Sequence, residues 1–170
     1  MQQLLSMKTA WHITLGAYGG RLHGGDRWTV DRQHNQRGEP FVGRDTTRTE
    51  DCERKMIGLA VRFTIDQRAF IESIMRQVCE RGRWLHRICA APPDVDHVHV
   101  LLDADPAAHG KQIRQWLKRW LTQRLDSQWA RPQSGTWWAE GGSTKPVKDG
   151  AYLNNVFEYI KRQRTTLFDE

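Results

Sequence analysis

His97-Val98-His99 places two imidazoles one residue apart within an alternating apolar run, Asp96-His97-Val98-His99-Val100-Leu101-Leu102. Successive side chains of a strand point to opposite faces, so His97 and His99 share one face and Val98 and Val100 the other. Neutral ring nitrogens side by side can share a divalent metal. Two polar residues on the wet face of a half-buried strand give the same pattern. Further along, Tyr159 and Gln163 stand at i and i+4, on one face if that segment is helical. If that helix crosses the sheet near the histidine strand, two imidazoles, one amide oxygen and one phenol converge. His97, His99 and Gln163 are competent metal ligands. The phenol is a nucleophile that needs activation, since a free phenol has a pKa near about 10. A nitrogen and oxygen set without thiolate suits Mg²⁺ or Mn²⁺, with water and a phosphate oxygen in the remaining positions. Tyr152 is the rival nucleophile, but Val156 stands where its ligand partner would be.

The elements that must carry these groups can be read from the surrounding pattern. Trp11 to Tyr18 reads as a first strand, with Trp11, Ile13 and Leu15 alternating against polar or small neighbours. Asp66 is the expected N-cap of a helix running to about Arg81, with Phe70, Ile71, Ile74 and Val78 at helical spacing. Trp84 to Cys89 reads as a second strand and Val95 to Asp103 as a third, joined by a turn around Pro92-Pro93. So short a connection predicts an antiparallel hairpin. A second helix spans His109 to about Leu125, with Ile113, Leu117, Trp120 and Leu121 as its apolar stripe and Lys111, Arg114 and Lys118 on another face. Trp137-Trp138 opens a weaker fourth strand reaching Thr144. After Asp149-Gly150 a final helix covers residues 151–165, docking through Leu153, Phe157 and Ile160. This order, β-α-β-β-α-β and a helix, predicts an α+β fold: a ferredoxin-like, RRM-like split β-α-β antiparallel sheet with an added C-terminal helix.

At 170 residues the chain is expected to be a single domain. Between the first strand and the first predicted helix the periodicity disappears. Residues 19–50 carry Gly19, Gly20, Gly24, Gly25, Gly38, Pro40 and Gly43 among Arg21, Arg27, Arg32, Arg37, Arg44 and Arg48. This long glycine- and arginine-rich segment reads as an ordered functional loop or a mobile arm, meeting phosphates or solvent. A net charge of +6 suits a polyanionic partner, although a solvated surface bias gives the same sum. Some of the eight tryptophans must be core, yet indoles interleaved with basic residues also suit single-stranded nucleic acid. Cys52, Cys79 and Cys89 form no CxxC pair and read as reduced, mostly buried thiols of an intracellular protein. Residues 1–9 hold one lysine and no long apolar region, and no window approaches a membrane span of about 18 apolar residues. The expectation is a cytoplasmic protein with no membrane partner.

Pro93-Asp94-Val95-Asp96-His97-Val98-His99-Val100-Leu101-Leu102 resembles the HUH motif (His, hydrophobic, His) of the single-tyrosine transposases, which include insertion-sequence transposases and REP-associated tyrosine transposases. Tyr159-Ile160-Lys161-Arg162-Gln163 resembles their catalytic helix, in which the nucleophilic tyrosine precedes a metal-binding glutamine by four residues. Trp11-His12-Ile13-Thr14 is similar to their opening strand, and Trp137 to Thr144 to a tryptophan and Gly-Ser-Thr segment of one branch. The resemblance covers roughly residues 9 to 165, nearly the whole chain. The segment 19–50 is longer than compact members carry, and the chain stops soon after Gln163.

The resemblance implies a metal-dependent DNA transposase acting on single-stranded or hairpin DNA. Tyr159 is the implied nucleophile, giving a 5′-phosphotyrosine intermediate that a 3′-hydroxyl later resolves. His97, His99 and Gln163 are the implied ligands of Mg²⁺ or Mn²⁺, while His12, His23, His34, His86 and His109 are expected not to ligate. Lys111, Arg114, Lys118 and Arg119 are candidates for backbone phosphates. A homodimer is also implied, since members often exchange tyrosine helices, and Gly141-Gly142 with the connection 145–150 would permit that here. Two other functions use the same residues: a non-catalytic single-strand nucleic-acid module and a hydrolytic metal nuclease.

Overall fold

Ile13 and Leu15 are fully buried on one face of strand β1 (Thr9–Gly16), where the alternation of the sequence put them. The computed structural model describes residues 8–20, 45–93 and 96–166. In chain order β1 is followed by α1 (Thr46–Lys55), α2 (Ile65–Arg81), β2 (Leu85–Ala90), β3 (His97–Ala104), α3 (Gly110–Asp126), β4 (Ser143–Val147) and α4 (Gly150–Lys161). The four strands form one sheet in the order β2-β3-β1-β4, every neighbour antiparallel. This is the expected split β-α-β sheet, with β1 and β3 at its centre.

One face is the main core. Ile13, Leu15, Val98, Val100 and Leu102 pack beneath Ile71, Met75 and Val78 of α2 and Ile113, Leu117 and Leu121 of α3. Thr64, not Asp66, caps α2. Its backbone is extended, its hydroxyl accepts from Gln67 N at 3.2 Å, and Gln67 Oε1 accepts from Thr64 N at 3.0 Å. Asp66 stands in the first turn, where a carboxylate faces the positive end of the helix dipole. The first residue of α3 has to be Gly110, because a Cβ there would lie 2.5 Å from the Trp11 ring. Cys79 and Cys89 are buried free thiols, and burial pushes Cys79 up to about 12. The third cysteine, Cys52, is free and only partly covered.

Among the described residues, α4 is the helix that covers the other face. Val156 and Ile160, with Leu153 and Phe157 beside them, pack on Ile88, Ala90, Leu101 and Val147. The predicted strand over Trp137–Thr144 is displaced: the ladder runs over Ser143–Val147, and Trp138 only bridges Ala17. Both indoles are buried instead, Trp137 donating to Asp126 Oδ1 at 2.8 Å and Trp138 to Thr122 Oγ1 at 3.1 Å. Because Lys145 to Val147 belong to β4, the connection to α4 is Lys148-Asp149 alone. The final helix ends at Lys161 rather than near Thr165. Residues 46–50, expected in the loop, begin α1, capped by Asp45. The rest of the arginine-rich segment, residues 21–44, lies outside the described residues, as do Asp94 and Val95. No helix among the described residues is long and apolar enough to cross a membrane.

His86 illustrates the cost of this packing. Both of its ring nitrogens are buried without a hydrogen-bond partner among the described residues, and it opposes Leu102 across the β2–β3 ladder. Burial first, then the charges of Arg76 and Arg164, pull its pKa down to about 4. Unfolding restores a value near 6.5, so between these limits the unfolded chain binds the extra proton. Stability is full above pH 6.5 and is lost as pH falls towards 4, by about 3 kcal/mol from this residue. Urea unfolding at pH 7 and pH 4.5 should therefore show a smaller acid loss in His86→Leu than in wild type. Equal losses would remove His86 from the account.

Candidate active site

β1 and β3 are in register with Thr14 opposite His99 and Gly16 opposite His97, so the face that α4 half covers gathers His12, Thr14, His97 and His99. His99 is 5% exposed. Its Nε2 lies 2.9 Å from His97 Nε2, while its Nδ1 lies 3.1 Å from His12 Nε2 and 3.2 Å from Thr14 Oγ1. The two ends of the His99 ring therefore have different tasks. With the proton on Nδ1, shared between His12 and Thr14, the Nε2 lone pair faces the neighbouring imidazole. Burial, with the Lys145 charge next, holds the His12 pKa below its ordinary value, which favours the neutral ring that can accept this proton.

The two Nε2 atoms lie within hydrogen-bonding distance of each other, at 2.9 Å, and neutral imidazole nitrogens so placed would suit a shared divalent cation. His12 engages the opposite nitrogen of His99 and so holds the orientation of that ring. Among the described residues no group of three or more His, Cys, Asp or Glu side chains forms a metal cage. If a cation were held here, a third protein ligand would come from another residue type, for which an amide oxygen is suitable.

α4 delivers the phenol. Ile160 is fully buried in the seat of that helix, which fixes the rotation of its neighbour Tyr159. The Tyr159 ring meets His99 edge to face at a centroid distance of 5.5 Å and is 48% exposed. Tyr152 is two turns away, roughly 10 Å along the helix, at the solvent-facing N-terminal end. Gln163 lies in the turn after α4, held by its N–H to Ile160 O at 3.0 Å. It thus shares no continuous helical face with Tyr159, and among the described residues no hydrogen bond joins its amide to the histidines.

The basic residues of α3 divide. Lys111 and Arg119 are exposed, the latter over the Trp116 ring at 5.2 Å. Arg114 and Lys118 instead turn inward. Lys118 Nζ donates to Ala139 O at 2.5 Å, Glu140 O at 3.1 Å and Gly141 O at 2.5 Å, and Arg114 to Gly142 O at 2.6 Å. They hold the segment that leads into β4 against β1, where Gly142 has φ +140° and a Cβ would strike Thr14 O at 2.5 Å. Burial, then the Arg114 charge, bring the Lys118 ammonium down to about 8. Lys118→Met should lower unfolding stability by about 2 kcal/mol, since three carbonyls lose a charged donor, while Lys111→Ala should change it by less than about 0.5 kcal/mol. Urea titration of both variants checks this, and equal effects would refute the clamp.

Sequence reasoning set His12 aside and did not single out Thr14. The signal existed in the alternation of β1, but their meeting with His99 depends on a register between strands more than eighty residues apart.

Comparison with known proteins bears on what this face does. No curated protein matches the chain. The chain is similar to a candidate transposase from Deinococcus radiodurans, solved by crystallography at 1.90 Å, with 15% identity, 96% of this chain and 97% of that chain covered, and a TM-score of 0.48. The sequence profile of the family described as "Transposase IS200 like" matches residues 60–163, from the approach to α2 through the histidine strand to Gln163. That match takes in more than half of the chain, including His97, His99 and Tyr159, and by it the chain belongs to the IS200-like transposases, a family of DNA transposition proteins.

Proposed function

We propose that this protein cleaves and rejoins single-stranded or hairpin DNA by transesterification, with Tyr159 as the nucleophile. The observation that carries the reading is the Tyr159 ring set against His99, on a helix whose seat fixes its rotation. The phenolic oxygen attacks phosphorus as the bond to the 3′ oxygen breaks. The strand leaves as a 3′-hydroxyl, and the 5′ phosphate remains on tyrosine. The phenolic proton passes to water, which reaches the half-exposed ring, and water supplies the proton that the departing 3′ oxygen takes up. A 3′-hydroxyl reverses the step and restores the phenol.

His97 and His99 would hold a divalent cation, Mg²⁺ or Mn²⁺, through Nε2, with the Gln163 amide oxygen as third protein ligand. When bound, it supplies positive charge to the phosphate oxygens. The contacts of His12 Nε2 and Thr14 Oγ1 with His99 Nδ1 suit the tautomer that leaves Nε2 available. Positioning carries much of the acceleration, because nucleophile and phosphate need not be brought together from solution. Exposed Lys111 and Arg119 remain candidates for DNA phosphates, and two copies of the chain acting together remain part of the proposal.

Incubation with single-stranded hairpin oligonucleotides and Mg²⁺ or Mn²⁺, followed by a denaturing gel, tests the reading. A covalent protein–DNA band supports it. Cleavage without that band indicates a hydrolytic nuclease, and binding without cleavage a nucleic-acid module.

A further inference from the structure

Glu72 of α2 has a fully buried carboxylate, and the transesterification described above does not use it. Its Oε1 accepts from Ala91 N and Thr165 N, both at 2.8 Å. Its Oε2 accepts from Thr166 N at 2.9 Å and from the Thr166 hydroxyl, with the Arg164 guanidinium 3.7 Å away. Around this core Arg164 donates to Cys89 O at 3.0 Å and Thr165 Oγ1 to Ala91 O at 2.6 Å. The chain just past Gln163 is thereby tied to the end of β2 and, through Glu72, to the opposite layer of the protein. A buried carboxylate is stable only while its donors stay in place, so every state in which residues 164–166 sit elsewhere is penalised.

The other end of α4 is equally constrained. Only Lys148 and Asp149 separate β4 from the helix, and Asp149 caps it by accepting from Tyr152 N at 2.7 Å. So short a connection reaches at most about 10 Å. The helix is held at both ends by its own chain.

We propose that Glu72 is a positioning residue: its carboxylate latches residues 164–166 and so fixes the end of the helix that sets the Tyr159 ring against His99. The functional meaning of the latch rests on the phosphotyrosine reading; its geometry does not.

The test is trapping without DNA. Tyr159→Cys and His99→Cys are combined in a Cys52→Ser chain and treated with a short bis-maleimide. Denaturing gels and peptide mapping should find the link between positions 159 and 99. Failure of the two introduced thiols to link would overturn the proposal. Adding Glu72→Gln, which removes the charge and keeps the shape, should slow trapping at least tenfold. It should also raise hydrogen exchange in Val156–Lys161 while exchange in α3 is unchanged. Unchanged trapping and exchange would overturn the latch. If Glu72→Gln fails to fold, Thr166→Val with Arg164→Ala at the tail side should give the same change at smaller size, and no change there counts against it equally. Failure of wild type to form a DNA adduct would instead sink the phosphotyrosine reading and leave the trapping result standing.

Discussion

Tyr159→Phe is expected to bind hairpin DNA and Mn²⁺ like wild type, yet to form no covalent adduct and no cleaved strand. The substitution keeps the ring, its edge-to-face contact with His99 and the seat made by Ile160. It removes one oxygen atom. The loss should be at least about a thousandfold, because nothing else at that position can accept the phosphoryl group. Tyr152→Phe should leave the reaction near normal, since that ring stands two helical turns, roughly 10 Å, from the Tyr159 ring that meets His99. Mass spectrometry of the wild-type adduct should find the nucleotide on the peptide containing Tyr159. An adduct on Tyr152, or cleavage that persists in Tyr159→Phe, would show the wrong nucleophile or the wrong reaction.

The second large effect concerns the imidazole pair. His97→Ala and His99→Ala should each weaken Mn²⁺ binding at least about tenfold by titration calorimetry, and the double variant should abolish adduct formation. Their stabilities should differ. His97 is partly exposed, and its removal should cost little. His99 is buried between His12, Thr14 and the tyrosine ring, so His99→Ala strands buried polar groups and should cost about 1–3 kcal/mol. Full adduct formation by the double variant in buffer containing Mg²⁺ or Mn²⁺ would end the metal hypothesis.

Much of this arrangement is legible in the sequence, and the exceptions have physical causes. The strands of the sheet centre announce themselves because each buries one face completely, which forces apolar residues into alternation. β4 does not: Ser-Thr-Lys-Pro-Val is a polar edge strand, where Pro146 is tolerated and Lys145 blunts the rim. The tryptophans before it look more strand-like but are claimed by Asp126 and Thr122 of α3. α1 buries none of its residues and so carries no apolar stripe to read. The end of α4 is hidden for a different reason. Nothing in Arg162-Gln163-Arg164-Thr165-Thr166 forbids another turn of helix; the stop comes from Glu72, far away in the chain, which claims the amides of Thr165 and Thr166. At the site, the His97–His99 and Tyr159–Gln163 spacings are local and visible. The environment of His99 is not, since it depends on the pairing of β1 with β3.

That pairing also sets an order of events. The β2–β3 hairpin joins neighbours in the chain and closes a short loop, whereas β1 must find β3 across eighty or more intervening residues and β4 across still more. Loop closure of that length is the slow part of folding a mixed sheet. His97 and His99 are thus side by side as soon as the hairpin strand extends, but His99 is flanked by His12 and Thr14 only when the last long-range contacts have formed. On refolding from urea, helical signal should return ahead of Mn²⁺ affinity, and the complete binding face becomes a reporter that the whole sheet has closed.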